Sequence, residues 1–240
     1  MNKKVTAIVL AAGKGSRMQS EMPKQYLPLL EKPILFYSLQ AFEKSIVDEI
    51  VLVTGKEEQE YCRKEIIEKY GFQKVAHIVE GGAERYHSVY QGLLAVKDTN
   101  YVLIHDGARP LITIDIIHNA IQEVKKTGAC VVGMPVKDTI QIVTGEQIIS
   151  STPVRKNTWL AQTPQCFEYS LVCSAYRKAI EQKDNSITDD AMVVMRYSNR
   201  EVRMIEGSYE NMKVTTPEDI LLAELFLQKS KKSFRKCLTD

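Results

Sequence analysis

The sequence has little that would mark a secreted or membrane protein. Its five cysteines are an odd number without paired spacing, so neither a disulfide framework nor a zinc cluster is expected. No apolar run is long enough to span a bilayer, and Lys3 and Lys4 lead into a short strand-like run where a signal peptide would stand. We therefore expect a cytoplasmic protein with no membrane partner.

An excess of charge is also missing. The formal net charge is +2 over 240 residues, which does not suit a protein that binds nucleic acid through bulk charge. The basic stretch Lys229–Lys236 is typical of a solvated chain end. We assign no function to the basic tail from about 229 to 240 and expect no nucleic-acid partner.

Linkers and internal repeats are absent, so we interpret residues 1–240 as one domain. Short β-branched runs alternate with helical patterns, which predicts an α/β fold with a mixed, mostly parallel sheet flanked by helices. In such sheets ligands bind beyond the carboxyl ends of the strands. The predicted strands are Val5–Leu10, Glu49–Val53, Val75–Val79, Tyr101–His105, Ala129–Val136, Thr158–Thr163 and Glu201–Ile205. The predicted helices are Ile34–Glu43, Glu57–Lys69, Glu84–Val96, Ile114–Lys126 (ended by Gly128), Leu171–Glu181, Asp189–Arg196 and Pro217–Leu227.

The pattern changes between Lys137 and Pro153. Two extended segments, 139–143 and 147–152, flank a turn that contains Gly145, which predicts a β-hairpin. The hairpin has few large apolar residues of its own and would be marginal alone. We therefore expect a projecting arm at about 137–157 that packs on another surface, such as a second subunit.

A strand that opens into a glycine loop with several cations is the most informative pattern in the chain. Glycine lets the backbone approach an anion, while N–H groups and cations supply positive charge. The sequence therefore predicts a polyphosphate site after Val5–Leu10. The residues concerned are Gly13, Lys14, Gly15, Arg17 and Lys24.

Two common glycine-loop motifs fit this segment poorly. The dinucleotide-binding fingerprint requires a third glycine where the chain has Met18. The P-loop requires Gly-Lys-Ser/Thr after four intervening residues, which Gly13-Lys14-Gly15 does not provide. Both interpretations are therefore disfavoured.

The loop resembles that of nucleotidyltransferases that join a sugar or alditol phosphate to a nucleoside monophosphate. Its matching residues are Leu10-Ala11-Ala12-Gly13, Gly15, Arg17, Met18 and Pro23-Lys24. Further matches are Gly81-Gly82 with Arg85 and Ser88, His105–Pro110, Pro135–Thr139, Gln162–Gln165, Thr188-Asp189 and Asn211–Asp219. Together these ordered motifs resemble the 2-C-methyl-D-erythritol 4-phosphate cytidylyltransferase family over about 5–227, nearly the whole chain. The resemblance implies a Rossmann-like nucleotidyltransferase fold and transfer of CMP from CTP to a sugar-alcohol phosphate, with release of pyrophosphate.

The same resemblance implies the site residues. The catalytic residues would be Arg17, Lys24, Asp106 and Lys213. The nucleotide would be bound by Ala11, Ala12, Gly13, Gly15, Gly82, Ser88 and Asp106. The acceptor would be bound by Arg109, Thr139, Arg155, Thr163, Thr188 and Lys213. It also implies Mg²⁺ or another divalent cation held mainly by the CTP phosphates, and a homodimer formed through the arm.

The implied chemistry requires cations more than a protein nucleophile. A phosphate monoester has a second pKa of about 6, so the acceptor is mostly a dianion at neutral pH. The difficulty is repulsion between this dianion and the triphosphate, which fixed positive groups would offset.

Two other functions stay open at this stage. A D-ribitol-5-phosphate cytidylyltransferase of wall teichoic acid synthesis shares nearly all these motifs. Ala12 and Gly107-Ala108 favour the methylerythritol family, whereas Pro153-Val154-Arg155 resembles the ribitol type. A non-catalytic nucleotide-binding regulator is the second alternative. Such a protein would have lost one or more of the four implied catalytic residues, and all four are present.

Overall fold

The computed structural model describes residues 3–13, 15, 18, 20 and 22–237, with side chains described as far as residue 229. A mixed sheet of seven strands forms its centre. The strands of this sheet are β1 (Val5–Ala11), β4 (Glu49–Thr54), β5 (Val75–Glu80), β6 (Tyr101–Asp106), β7 (Ala129–Pro135), β10 (Trp159–Glu168) and β11 (Arg203–Glu206). Shorter strands are β2 (Pro28–Leu29), β3 (Lys32–Pro33), β8 (Ile142–Val143) and β9 (Ile149–Ser151). The helices are α1 (Ile34–Glu43), α2 (Gln59–Tyr61), α3 (Arg85–Ala95), α4 (Ile114–Thr127), α5 (Tyr169–Glu181), α6 (Asp190–Ser198) and α7 (Pro217–Cys237).

The sheet has the strand order β11-β7-β10-β6-β1-β4-β5. β1 pairs in parallel with both β4 and β6, and β4 pairs in parallel with β5. β10 is antiparallel to its neighbours β6 and β7, while β11 and β7 are parallel. The predicted mixed, mostly parallel sheet is therefore confirmed. The register places Leu10 beside Asp106, so the ends of β1 and β6 meet at one edge.

Helices cover both faces because β1 and its neighbours alternate their side chains between two cores. Val5, Ala7 and Val9 face a core shared with α1 and α4. Ile8 faces the opposite core, which α3, α5 and α6 complete. Both faces of the central strands are thus buried, and only the ends of the strands are open for a ligand.

Local signals fix both ends of α4, and Gly128 ends the helix as predicted. The side chain of Thr113 accepts a hydrogen bond from the backbone N–H of Ile116, which caps the start of α4. Gly128 ends α4 with φ of +79°, a left-handed conformation that glycine adopts at little cost. The chain then enters β7 directly.

Several predicted elements differ from the structure. The last helix, predicted to end at Leu227, continues as α7 to Cys237, into the stretch expected to be a basic tail. The helix predicted over 57–69 is α2 followed by a π-helix at Cys62–Glu68. The apolar spacing that predicted it, with Cys62 and Ile66 buried on one side, does not distinguish α from π geometry. The strand predicted to end at Thr163 continues to Glu168, because a register shift between Ala161 and Gln165 accommodates Pro164 inside the strand.

The predicted hairpin is present but shorter than expected. β8 and β9 pair as a separate antiparallel ribbon whose residues are all exposed. Among the described helices, none has both the length and the apolar character that a bilayer span requires.

Candidate active site

A cleft of about 1000 Å³ lies beyond the carboxyl ends of β1, β4, β5 and β6. Parallel strands with buried faces leave their following loops at this edge, which is where ligands bind in open α/β sheets. The lining includes Ala11, Ala12, Gly13, Lys24, Gly81, Gly82, Arg85, Ser88, Asp106 and Lys213. Six of the seven predicted nucleotide-binding residues thus line one cleft, and Gly15 lies against the side chain of Lys24.

The segment after β1 is held by two side chains that reach back to the backbone. The Gln25 amide donates to the carbonyl of Ala11 at 2.5 Å and is itself buried. The Lys24 ammonium donates to the carbonyl of Val214 at 3.1 Å. Lys24 is therefore held next to the chain segment that carries Lys213. The predicted cations Lys14 and Arg17 lie outside the described residues.

The loop after β5 is built for close approach of the backbone. A Cβ on Gly81 would lie 2.6 Å from the Cβ of Ala12, so a larger residue cannot fit there. The hydroxyl of Ser88 accepts from the backbone N–H of Gly82 at 3.1 Å and lies 3.2 Å from the carbonyl oxygen of Glu84, to which it donates. Ser88 is therefore a support of this loop as well as part of the cleft wall.

Asp106 is the electrostatic centre of the site. One of its carboxylate oxygens lies 3.2 Å from Nε of Arg85, and the other lies 2.8 Å from Nζ of Lys213. Nε of Arg109 lies 3.8 Å from the second oxygen. Burial alone would raise the pKa of Asp106, but the charges of Arg85, Lys213 and Arg109 outweigh it and hold the pKa well below its usual range. Asp106 is thus a fixed anion that three cations share.

Lys213 is held in place by a network of backbone contacts. The backbone N–H of Val214 donates to the carbonyl of Ala108 at 2.8 Å. The buried Asn211 amide donates to the carbonyl of Thr163 at 2.9 Å, and Arg109 donates to the carbonyl of Asn211 at 2.9 Å. These hydrogen bonds anchor the segment 211–214 to the loop after β6 and to β10. They therefore hold Lys213 where its ammonium contacts Asp106.

His105 is fully buried and orders the end of β6 from within the core. Its Nε2 lies 3.4 Å from the backbone carbonyl of Arg109, and its Nδ1 lies 3.0 Å from the hydroxyl of Thr163. A carbonyl accepts only, so Nε2 carries the proton and Nδ1 accepts from Thr163. The Thr163 oxygen in turn accepts from the backbone N–H of Asp106 at 3.1 Å. Burial lowers the pKa of His105 to about 3, so the ring is neutral at physiological pH.

The predicted acceptor residues are not all brought together within one chain. Thr163 is buried, and its hydroxyl is engaged by His105 and Asp106. Lys213 is the predicted acceptor residue that lines the cleft, and Arg109 lies beside Asp106 without lining it. Three others are exposed and do not line it, namely Thr139, Arg155 and Thr188.

Three contributors to the site were not singled out from the sequence. Gln25 and Asn211 act through buried amides that bond to backbone carbonyls, and an amide has no distinctive sequence signature. Arg85 was noted only as part of the Gly81-Gly82 motif. Its position at the start of a helix that follows a glycine pair at the cleft was the signal that could have identified it.

The described residues offer no cluster of three or more acidic, histidine or cysteine side chains for a metal ion. Asp106 is the carboxylate at the centre of the cleft, and both of its oxygens already face cations. This arrangement fits a Mg²⁺ ion that takes most of its ligands from phosphate oxygens and water, as Mg²⁺ commonly does in phosphoryl-transfer sites.

Comparison with known proteins gives a consistent result. The family described as 2-C-methyl-D-erythritol 4-phosphate cytidylyltransferase matches residues 5–229. The enzyme of that name from Lachnoclostridium phytofermentans is 51% identical over 94% of this chain and 97% of its own length. That from Alkaliphilus oremlandii is 49% identical over 94% of this chain and 95% of its own length. The crystal structure of 4-diphosphocytidyl-2C-methyl-D-erythritol synthase from Anaerococcus prevotii superposes with a TM-score of 0.82 at 31% identity, covering 94% of this chain and 96% of that one.

Proposed function

This chain belongs to the 2-C-methyl-D-erythritol 4-phosphate cytidylyltransferase family, and we propose that the cleft at the end of β1 carries out that family's reaction. The protein is a nucleotidyltransferase that moves CMP from CTP to 2-C-methyl-D-erythritol 4-phosphate and releases pyrophosphate, a step in isoprenoid precursor synthesis. The predicted function and the Rossmann-like nucleotidyltransferase fold are thereby confirmed, in preference to the ribitol enzyme and the non-catalytic regulator.

The observation that carries the assignment of residues is the meeting of two lysines at the cleft. Lys24 and Lys213 come from distant parts of the chain, yet Lys24 bonds to the residue next to Lys213. Lys213 also bonds to Asp106 at the end of β6. Two cations therefore lie close together at the cleft, which supports the proposal that the phosphates of the two substrates meet there.

We propose the following mechanism for these residues. The glycine loop and Lys24 hold the triphosphate, and Arg17 contributes a second cation as the resemblance implies. Lys213 faces the α-phosphate and the incoming phosphate, so it stabilises the negative charge that accumulates as the new P–O bond forms and the bond to pyrophosphate breaks. Asp106 holds the Lys213 ammonium in position through a contact of 2.8 Å. No protein nucleophile or base is required, since the attacking group is already ionised.

Mg²⁺ fits this scheme as a ligand of the triphosphate. Bound there, it would neutralise phosphate charge, and Asp106, which lines the cleft, is a carboxylate that could assist. All other steps of the proposed mechanism are assigned to residues of the chain.

The cytosine would lie against the backbone of the two glycine loops. Ala12, Gly13 and Gly82 present little side-chain bulk to the cleft, so a flat base can approach peptide N–H and C=O groups. A base with the wrong pattern of donors would leave such groups unpaired, which disfavours its binding.

We further propose that the acceptor site is completed by a second copy of the chain. The expectation that this segment has few large apolar residues is wrong. The arm exposes five of them, each with about half or more of its surface accessible, at Ile142, Val143, Ile148, Ile149 and Val154. Thr139 and Arg155 belong to the same arm and do not line the cleft of their own chain. Docking of the arm on a partner would bury these apolar groups and bring Arg155 to the partner's acceptor site.

A cytoplasmic location is also proposed. The odd number of cysteines without paired spacing suits a reducing compartment, and the four cysteines with described side chains, Cys62, Cys130, Cys166 and Cys173, are free thiols.

Pyrophosphate release tests the function and the residues together. The wild-type chain is assayed with CTP and Mg²⁺ and with either 2-C-methyl-D-erythritol 4-phosphate or D-ribitol 5-phosphate. We expect release only with the first acceptor. Lys213→Ala should reduce turnover by at least about 10²-fold, the scale of losing one group that stabilises a transition state. A high rate with ribitol phosphate would overturn the substrate assignment, and an undiminished rate in Lys213→Ala would overturn the mechanism.

A further inference from the structure

Arg85 lies between two carboxylates that come from different parts of the chain. Its Nε lies 3.2 Å from Asp106, which lines the cleft. Its two terminal nitrogens lie 2.9 and 2.8 Å from the two oxygens of Asp190. The paired contact is a bidentate fork, which fixes the plane of the guanidinium as well as its position.

Asp190 is placed for this contact by the start of α6. The residue is fully buried, and one of its oxygens also accepts a hydrogen bond from the hydroxyl of Tyr176 on α5. Asp189 caps the helix by accepting from the backbone N–H of Met192 at 2.8 Å. The Gln165 side chain accepts from the backbone N–H of Ala191 at 2.8 Å, which fixes α6 against β10. Asp190 therefore has little freedom to move.

The arrangement has a clear electrostatic consequence for the cleft. The Asp190 carboxylate lies on the side of Arg85 away from the cleft and balances its charge. Burial alone would lower the pKa of Arg85, but the charges of Asp190 and Asp106 outweigh it and raise the pKa. Because Asp190 holds the guanidinium end-on by both terminal nitrogens, Arg85 meets Asp106 through Nε, at one carboxylate oxygen. The other oxygen of Asp106 bonds to Lys213 at 2.8 Å. Without Asp190, the whole guanidinium would be free to take both oxygens of Asp106.

We propose that Asp190, assisted by Tyr176, is a positioning residue that acts through Arg85 to orient Asp106 and so keep Lys213 in its productive place. Asp190 itself does not line the cleft. The inference rests on the proposed function, because it assigns Asp106 and Lys213 to the transfer of CMP. It extends the machinery of the site from the cleft to the helices α5 and α6, which pack on one face of the sheet.

A double-mutant cycle on kcat/KM for the acceptor tests this inference. Asp190→Asn keeps the shape of the side chain and removes its charge. We expect a loss of at least about tenfold in the wild-type background and a much smaller loss in an Asp106→Asn background, because residues that act through one another are not additive. A purely structural role would give the same fold-loss in both backgrounds, and that result would overturn the proposal.

Tyr176→Phe provides a second route if Asp190→Asn does not fold. It removes one hydrogen bond to Asp190 and leaves both charges in place, so we expect a smaller loss of kcat/KM that again disappears in the Asp106→Asn background. Tyr169→Phe is the matched control, because Tyr169 is also on α5 and is partly buried. Its hydroxyl donates to the carbonyls of Leu93 and Val96 and does not contact Asp190. Equal losses in the two tyrosine variants would contradict the proposal.

The same assay separates this inference from the proposed function. A wild-type protein that releases no pyrophosphate from CTP and the acceptor would contradict the function itself. An active wild-type protein with an additive cycle would contradict only the role of Asp190.

Discussion

Lowering the pH should destabilise this protein through His105. The loss of stability should begin near pH 6.5, before the carboxylates start to titrate. The ring is fully buried and neutral, with an ordinary pKa of 6.5 that burial lowers to about 3 in the folded state. Below pH 6.5 the unfolded chain takes up a proton that the folded chain does not. The free energy of unfolding therefore falls as the pH decreases from 6.5 towards 3.

The size of this effect follows from the two pKa values. One proton of difference changes the free energy of unfolding by about 1.4 kcal/mol per pH unit. Between about pH 7.5 and about pH 5, His105 should account for a loss of about 2 kcal/mol. The folded ring itself is protonated only near its pKa of about 3, where it would also lose the acceptor at Nδ1 that holds the hydroxyl of Thr163.

Urea unfolding measures this loss. Transitions of the wild-type chain and of His105→Gln are followed by the fluorescence of Trp159, the single tryptophan, at several pH values. We expect the variant to be less stable than the wild type at neutral pH. Between about pH 7.5 and about pH 5, however, its free energy of unfolding should fall by about 2 kcal/mol less than that of the wild type. His118→Gln is the control, because His118 is exposed on α4 and lies in water in both states. Parallel pH dependences for wild type and His105→Gln would refute the reasoning.

Three further outcomes are expected at the cleft and the arm. Lys24→Met should lower the rate of pyrophosphate release by about 10²-fold, and a rate near that of the wild type would remove Lys24 from the mechanism. Gly81→Ala should weaken CTP binding in calorimetry, because its methyl group would lie 2.6 Å from the Cβ of Ala12; unchanged affinity would contradict the close packing of the two loops. Replacing both Ile148 and Ile149 by Asp should give monomers in sedimentation and abolish use of the acceptor, whereas Ile46→Asp, also at an exposed isoleucine, should do neither. A double variant that remained dimeric would show that the arm is not the interface.

The fold was largely predictable because its signals are local. Strands with buried faces appear as continuous apolar runs, and a glycine such as Gly128 marks the end of the helix that precedes it. The errors occurred where tertiary contacts decide the outcome. Pro164 indicates the end of a strand when only the sequence is considered, yet the bulge in β10 lets the strand continue beside β6.

The sequence identified many of the residues at the site, but it did not predict which groups they bond to. The glycine loop, Asp106 and Lys213 were recognised by their motifs, and the structure brings the described ones together. The predicted roles of these residues stay predictions. Sequence reasoning assigned Thr163 to the acceptor, whereas its hydroxyl is used between His105 and Asp106. A hydroxyl has the same sequence signature whether it contacts a substrate or the backbone, so only the fold separates the two uses.

Buried charges are costly unless they are paired, and the cluster around Asp106 is paired in an unequal way. Arg85, Arg109 and Lys213 share one carboxylate, and Asp190 supplies a second one to Arg85 alone. Together these five described groups carry three positive and two negative charges, an excess of one positive charge within the cluster. An anionic phosphate is the partner that would complete the balance. A cluster with equal charges would be more stable in the empty protein, but it would attract such a ligand less strongly. The unequal pairing therefore favours binding at the expense of stability, as expected of a site whose substrates are both phosphates.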